Sequence, residues 1–220
     1  FFQIHKLFFK SQYGFREGHS TELAAVELIE SVITELDKSN LPLSIFLDLS
    51  KAFDTLDHDI LLKKLNYYGI FGNSAKLIKS YLSDRKQYVE FDGNRSSYLP
   101  ITTGVPQGSV LGPLLFIIYI NDMCNATDLF KVIMYADDTT LSTTLNANHT
   151  NVNNINKALD DINTWLKLNK LSLNVKKSKF IVFHKPQKRF IKPHIVIENT
   201  AIEQVTTFNF LGLTIDENLS

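Results

Sequence analysis

Two neighbouring carboxylates, Asp137 and Asp138, stand in "VIMYADDTTL" between two strand-like apolar runs. Like charges repel, and taking them out of water costs more still. A bound cation is one resolution; a solvated turn is the other, since paired aspartates are common at turns. A third carboxylate, Asp48, closes the run "SIFLDLS". Side chains alternate along a strand, which puts Asp48 on the face shared by Phe46 and Ser50, where a lone charge calls for a counter-charge. Neighbours in a hairpin point to opposite faces, so only one of the pair aims squarely at an ion shared with Asp48, and Asp137 is the expected one. Oxygen ligands at strand ends, with no His or Cys beside them, suit Mg²⁺, or Mn²⁺ in its place, better than zinc. Two such ions roughly 3.5–4 Å apart would activate an attacking hydroxyl and stabilise a leaving oxygen in phosphoryl transfer.

The elements that must hold these residues follow from hydrophobic period. Residues 21–37 carry apolar side chains at 23, 26, 29, 33 and 36, a helical spacing, with Ser20 or Thr21 as cap. "LPLSIFLDLS" reads as a central strand ending near Asp48, with Pro42 at its edge. Residues 58–68 and 74–83 read as helices on either side of "GIFGN", and "KQYVEFDGNRSSYLPI" as a hairpin turning at Asp92-Gly93. "GVPQGSVLGPLLFIIYINDM" is a Gly/Pro loop that becomes a helix from about Ser109. "LFKVIMYADDTTLSTTL" is two strands meeting at the aspartates, which therefore sit on a hairpin tip. Residues 151–169 return to helical period, and "SKFIVFH", "HIVIE" and "FNFLGLTI" are further strands. Hairpins without a strict βαβ rhythm predict the α+β class: an antiparallel sheet with helices mainly on one face.

A chain of 220 residues, 44% hydrophobic and 21% charged, is an ordinary globular protein. Lys plus Arg equals Asp plus Glu at 23 each, so net charge argues neither for a strong nucleic-acid binder nor for an acidic surface. Locally, Lys170, Lys176, Lys177, Lys179, Lys185, Lys188, Arg189 and Lys192 follow one another with no acidic residue between, a patch that suits phosphates as well as it suits a solvated face. Cys124 is the single cysteine, which excludes an internal disulfide and a cysteine-built zinc site. The longest apolar run, "VLGPLLFIIYI", has 11 residues, against the roughly 20 needed to span a bilayer, and reads as a buried helix. With no signal-peptide pattern either, the expected place is inside the cell, in nucleus or cytoplasm, without a membrane partner. The chain opens on Phe1 rather than Met and reads as a fragment; "FFQIHKLFFK" reads as core awaiting a cover from outside these residues.

The order "QYGFREGHST", "FLDLSKAFDTLDH", "GVPQGSVLGPLLFIIYINDM", "YADD", "LSLNVKKSK" and "FLGLTID" resembles the reverse transcriptases, most closely those of non-LTR (LINE-like) retrotransposons. Six blocks in order over residues 12 to 216 are far more specific than any one of them. The resemblance implies a right-hand polymerase palm with partial fingers: residues 1–40 as fingers, 41–184 as palm with an inserted hairpin near 86–102, and 185–220 as strands leading toward a thumb. It implies an RNA template, a DNA primer and deoxynucleotides as partners, and Mg²⁺ as cofactor.

By the same resemblance Asp48 and Asp137 bind both metals, the backbone carbonyl of Leu49 completes the coordination, and Asp138 assists near the primer end. Phe53 falls where the family keeps an aromatic ring against the sugar of the incoming nucleotide, leaving no room for a 2′-hydroxyl; a core aromatic is the plain reading of the same residue. Viral RNA-dependent RNA polymerases share the layout but place an acidic residue there and use Gly-Asp-Asp, so Phe53 and Ala136 favour a DNA product. Gln107 and Gly108 match the loop beside the nascent base pair, Lys177 the cation near the triphosphate, and Gln12 and Arg16 a template-contacting segment. His58 reads only as a helix-start residue. Competing readings are an intron or retron reverse transcriptase, an inert palm kept as an RNA-binding module, and a Mg²⁺-dependent phosphohydrolase, which leaves Phe53 and "PQG" without a role.

Overall fold

A computed structural model describes residues 1–146, 151–188 and 190–220, so Arg189 of the basic run lies outside the described residues. Helix α1 (Thr21–Asp37) begins at Ser20, whose hydroxyl accepts from the Leu23 N–H and satisfies one of the helix's orphan donors. Strand β1 (Leu41–Leu47), α2 (Ala52–Thr55), α3 (His58–Tyr67) and α4 (Gly72–Leu82) follow. An exposed hairpin comes next: β2 (Lys86–Gln87), β3 (Glu90–Phe91), β4 (Asn94–Arg95) and β5 (Leu99–Pro100), with β2 paired to β5 and β3 to β4 around Asp92-Gly93. Helix α5 (Leu111–Tyr119) starts after Ser109, whose hydroxyl accepts the Gly112 N–H at 3.0 Å. Then come β6 (Lys131–Tyr135), β7 (Asp138–Leu145), α6 (Val152–Leu168), β8 (Lys179–Val182), β9 (Val196–Ile197), β10 (Thr200–Ala201), β11 (Glu203–Gln204), and the hairpin β12 (Thr207–Phe210) with β13 (Leu213–Asp216).

Five of these strands form one sheet in the order β11-β8-β1-β7-β6. All seven residues of β1 are buried because both faces of the sheet are covered. Leu41, Leu43, Ile45 and Leu47 face a core shared with Leu61 and Leu65 of α3, Phe116 of α5 and Leu159 of α6. Phe46 faces the other way, among Leu28 and Val32 of α1 and Phe210 of the last hairpin, and its ring stacks on Phe208 at 4.0 Å and 11°. The helices thus lie mainly on one face, α1 being the exception. One strand departs from the antiparallel expectation: β11 runs parallel to β8, Glu203 opposite Lys179, an edge pairing two residues long.

The aromatic opening finds part of its cover inside the chain, which corrects the expectation of an outside one for Phe2, while Phe1 and Ile4 stay exposed. Phe2 is only 6% exposed, its ring 4.9 Å from Phe8 and 5.1 Å from Tyr68. Asn121 fastens the segment by accepting the Phe9 N–H at 2.7 Å and donating to the Leu7 carbonyl at 2.8 Å. No described helix is long and apolar enough to cross a membrane.

Candidate active site

Asp48 is the first residue beyond β1, and Asp138 is the first of β7. These strands pair antiparallel with Leu47 opposite Thr139, so the next step of each carries Asp48 and Asp138 to the same end of the sheet. The Asp48 backbone is fixed on both sides: its N–H donates to Ser178 Oγ at 3.2 Å and its carbonyl accepts the Asn174 N–H at 2.8 Å. Leu49, buried, bridges to Leu173, and the two bonds flanking that bridge, Asn174 N–H to the Asp48 carbonyl and Ser50 N–H to the Ser172 carbonyl, do not use the Leu49 carbonyl.

Tyr135 and Asp138 form the closing pair of β6 and β7, which leaves Ala136 and Asp137 as a two-residue turn. Strand alternation does not govern a turn residue, so the face of Asp137 is not fixed by the strand pattern, whereas Asp138 falls on the face of Asp48 and lines a cleft with it. Both carboxyls sense Asp48. Burial is the main cause that lifts Asp137 above the usual carboxylate range, with repulsion from Asp48 adding to it. Burial likewise lifts Asp138, with repulsion from Asp137 and Asp48 adding to it. Among the described residues no three His, Cys, Asp or Glu side chains converge into a ready-made metal cage. A cleft of about 370 Å³ opens beside Asp48 and Asp138, with Lys176 and Lys177 on its wall and Phe46 and Phe208 on its floor.

The basic run does not act as one surface. Lys170 pairs with Asp57, Lys179 with Glu203, and Lys188 donates to the Ser39 carbonyl. Lys176, Lys177 and Lys179 line the cleft, the first two exposed and Lys179 tied to Glu203.

Phe53 is half-buried, stacked on Phe116 at 4.2 Å and 26° and met edge-on by Phe15 at 6.3 Å and 90°. One face of the ring is therefore core and the residue still reaches the surface, which joins the two sequence readings of it. Gln107, exposed, donates to Asp54 Oδ1 at 2.8 Å. Gly108 has φ +77° with open space where a side chain would stand, whereas a Cβ on Gly104 (φ +79°) would fall 2.6 Å from the Asp54 carbonyl oxygen. His58 does more than start a helix: its Nε2 lies 2.7 Å from the Gly104 carbonyl and pins this loop to α3. A second cleft of about 620 Å³ runs past Gln107, Pro106 and Thr103 and brings in two cations to which no role had been given, Lys51 and Arg85. Neither carries a local signal, because Lys51 precedes a one-turn helix and Arg85 an exposed hairpin.

Gln12 and Arg16 are placed differently from the template-contacting expectation. Gln12 is fully buried, and its Oε1 accepts the N–H groups of Gly14 (2.8 Å) and Ala136 (3.1 Å). Arg16 Nη1 donates to the carbonyls of Phe9 (2.9 Å) and Gln12 (2.8 Å), and the guanidinium lies over the Phe8 ring at 5.2 Å. Gln12 is thus closed off from solvent, whereas Arg16 keeps part of its side chain at the surface.

A family model described as reverse transcriptase (RNA-dependent DNA polymerase) matches residues 2–215. The chain is 30% identical, over 95% of its length, to a probable RNA-directed DNA polymerase from transposon BS of Drosophila melanogaster, of which it covers 24%. It is 31% identical over 95% of its length to the corresponding protein of transposon X-element, covering 23%, and 29% identical over 96% to that of the mobile element jockey, covering 24%, both from Drosophila melanogaster. The chain thus spans about a quarter of the length of these relatives. Among solved structures, apo telomerase from Candida tropicalis superposes with a TM-score of 0.63 at 16% identity, over 96% of this chain and 40% of that one. Telomerase from Candida albicans, in complex with a fragment of telomeric RNA, gives 0.63 at 15% over 96% and 34%. At such identity the likeness speaks for the polymerase fold alone. With the match running almost end to end, this chain belongs to the reverse transcriptase (RNA-dependent DNA polymerase) family.

Proposed function

We propose that the chain is the polymerase core of a retrotransposon reverse transcriptase, adding deoxynucleotides to a primer 3′ end on an RNA template. The observation that carries this reading is the meeting of the end of β1 with the β6–β7 turn, where burial raises the Asp137 and Asp138 carboxyls and the charge of Asp48 adds to the effect. In this reading residues 41–184 are palm, residues 86–102 a fingers-like insertion, residues 1–40 further fingers, and residues 185–220 lead toward a thumb.

The donor set fits Mg²⁺, with Mn²⁺ as substitute: hard carboxylate oxygens, partly desolvated and mutually repelling, and the Leu49 carbonyl left out of the flanking backbone bonds. When bound, the ions supply the charge that activates the primer hydroxyl and offsets charge on the departing phosphate. The remaining tasks belong to the chain itself. Asp48 and Asp137 orient the reacting groups, and Asp138 assists from the primer side. Phe53, braced by Phe116, excludes a 2′-hydroxyl from the sugar site. Gln107 and Gly108 border the nascent pair, and Lys177, supported by its position on the cleft beside Asp48 and Asp138, gives a proton to the departing pyrophosphate.

The test is primer extension on a homopolymer RNA template by the full open reading frame carrying these residues, with and without Mg²⁺. The expected result is Mg²⁺-dependent DNA synthesis that Asp137→Asn abolishes while the melting curve stays cooperative. Near wild-type extension by that variant overturns the assignment, and RNA binding without extension at any divalent-ion concentration assigns the chain instead to the inert-module class.

A further inference from the structure

The turn that bears Asp137 has an unusual support. Ala136, the first central residue of the turn, adopts φ 55°, a positive value that glycine takes freely and other residues rarely do, while Asp137 is not among the positive-φ residues. An alanine in left-handed conformation costs about 1–2 kcal/mol, and such conformations persist where surrounding structure over-determines them. Here the surroundings come from the far end of the sequence.

Residues 11–13 add to the edge of β6 as a short parallel segment: the Tyr13 N–H donates to the Met134 carbonyl at 2.7 Å and the Met134 N–H to the Ser11 carbonyl at 2.9 Å. This lays Gln12 under the turn, where its Oε1 takes the outward Ala136 N–H. Ala136 is 4% exposed, so without that oxygen its amide would be a buried donor with nowhere to go. Gly14 closes the contact: a Cβ there would lie 2.3 Å from the Ala136 nitrogen. The segment is anchored at its own back by Ser11 and Tyr13, both bonded to Glu27 of α1.

We propose that Gln12 is a positioning residue for the acidic turn: its side-chain oxygen holds the Ala136 amide so that Asp137 and Asp138 face Asp48 in the arrangement a divalent cation needs. The inference rests on the metal-site reading above, and its test separates the two. Outer-sphere groups of this kind typically change metal affinity by about ten- to a hundredfold when removed.

Three variants of the chain are compared with the parent: Gln12→Met, of equal length without the acceptor; Gln12→Glu, which keeps it; and Asp48→Asn. Amide hydrogen exchange is followed by NMR on metal-free protein, and Mn²⁺ binding by electron paramagnetic resonance. In the parent the Ala136 amide is protected. Gln12→Met accelerates its exchange by about tenfold or more and weakens Mn²⁺ binding about tenfold, while Gln12→Glu restores both. An unprotected Ala136 amide in the parent, which needs no variant to fold, overturns the proposal. So does a Gln12→Met chain whose Mn²⁺ affinity equals the parent's although Asp48→Asn weakens it. If Asp48→Asn leaves Mn²⁺ binding unchanged, the metal-site reading fails, and the proposal fails with it only where Ala136 exchange is also insensitive to Gln12.

Discussion

Ser44 and Ser142 face each other across the central strand pair with their hydroxyl oxygens 2.9 Å apart, both buried between two apolar clusters. The pair matters because β1 and β7 must stay in register for Asp48 and Asp138 to finish side by side. A slip of one residue would send each carboxylate to the opposite face. Removing one hydroxyl strands the other: Ser142→Ala is expected to lower stability by about 1–3 kcal/mol, and Ser44→Ala together with Ser142→Ala by less than the sum of the two singles. Urea melts of the three variants measure this, and strict additivity would show that the hydroxyls do not interact.

Substituting Asp138 should stabilise the metal-free protein. Its carboxyl is raised by burial and then by Asp137 and Asp48, so in the window between an unfolded aspartate (about 3.9) and the raised value the folded chain holds more protons than the unfolded one. Stability therefore falls as pH rises through that window and stays lower above it. Asp138→Asn removes the penalty, raising the melting temperature at neutral pH, a gain that disappears below the ordinary aspartate range. Mg²⁺ should raise the melting temperature of the parent more than that of the variant. A melting profile identical for both from pH 3 to 8 would contradict the electrostatic account.

The Phe53 ring is backed by Phe116 and edged by Phe15, so it has little freedom to move aside. Phe53→Val leaves space above Phe116 and is expected to increase ribonucleotide incorporation relative to deoxynucleotide by at least about tenfold, measured as a ratio of kcat/KM values. An unchanged ratio would return Phe53 to the status of a core aromatic.

Gly104 combines φ +79° with backbone contact to Asp54, and its own N–H and carbonyl are used by Leu56 and His58. Gly104→Ala has no flexible neighbour to displace. It should cost more than about 1 kcal/mol and shift the loop carrying Gln107, seen as a raised KM for nucleotide beyond any loss of kcat. His58→Ala, which frees the same loop from α3 without crowding it, should move KM in the same direction by less.

Local pattern was enough for most of the elements. The 3.6-residue period of α1 and α6, the Asp92-Gly93 turn and the apolar runs flanking Ala136 and Asp137 are written in neighbouring residues, because helix and hairpin formation answer to contacts a few positions apart. Asp48 at the end of a buried strand and an acidic pair where two strands meet were legible for the same reason, although the turn itself is Ala136-Asp137 and Asp138 already belongs to β7. Local pattern is silent where a side chain's partner is remote: Gln12 was marked only by its motif, and its partner Ala136 is 124 positions away. The cover of Phe2, the fastening of Gly104 by His58, the arrival of Lys51 and Arg85 in one cleft, and the parallel seating of β11 are of this kind.

The sequence by itself determined which residues carry charge, where strands and helices begin, and that the acidic residues end up on strand termini. Only the tertiary structure decided that β1 and β7 are neighbours in the register that unites those termini, and that residues 11–14 brace the turn from below. The physical reason is that hydrophobic burial is non-directional: it draws the strands into one sheet without choosing their order. That choice is made by directional hydrogen bonds and close backbone contacts between segments over a hundred residues apart, and no short window of sequence contains both partners.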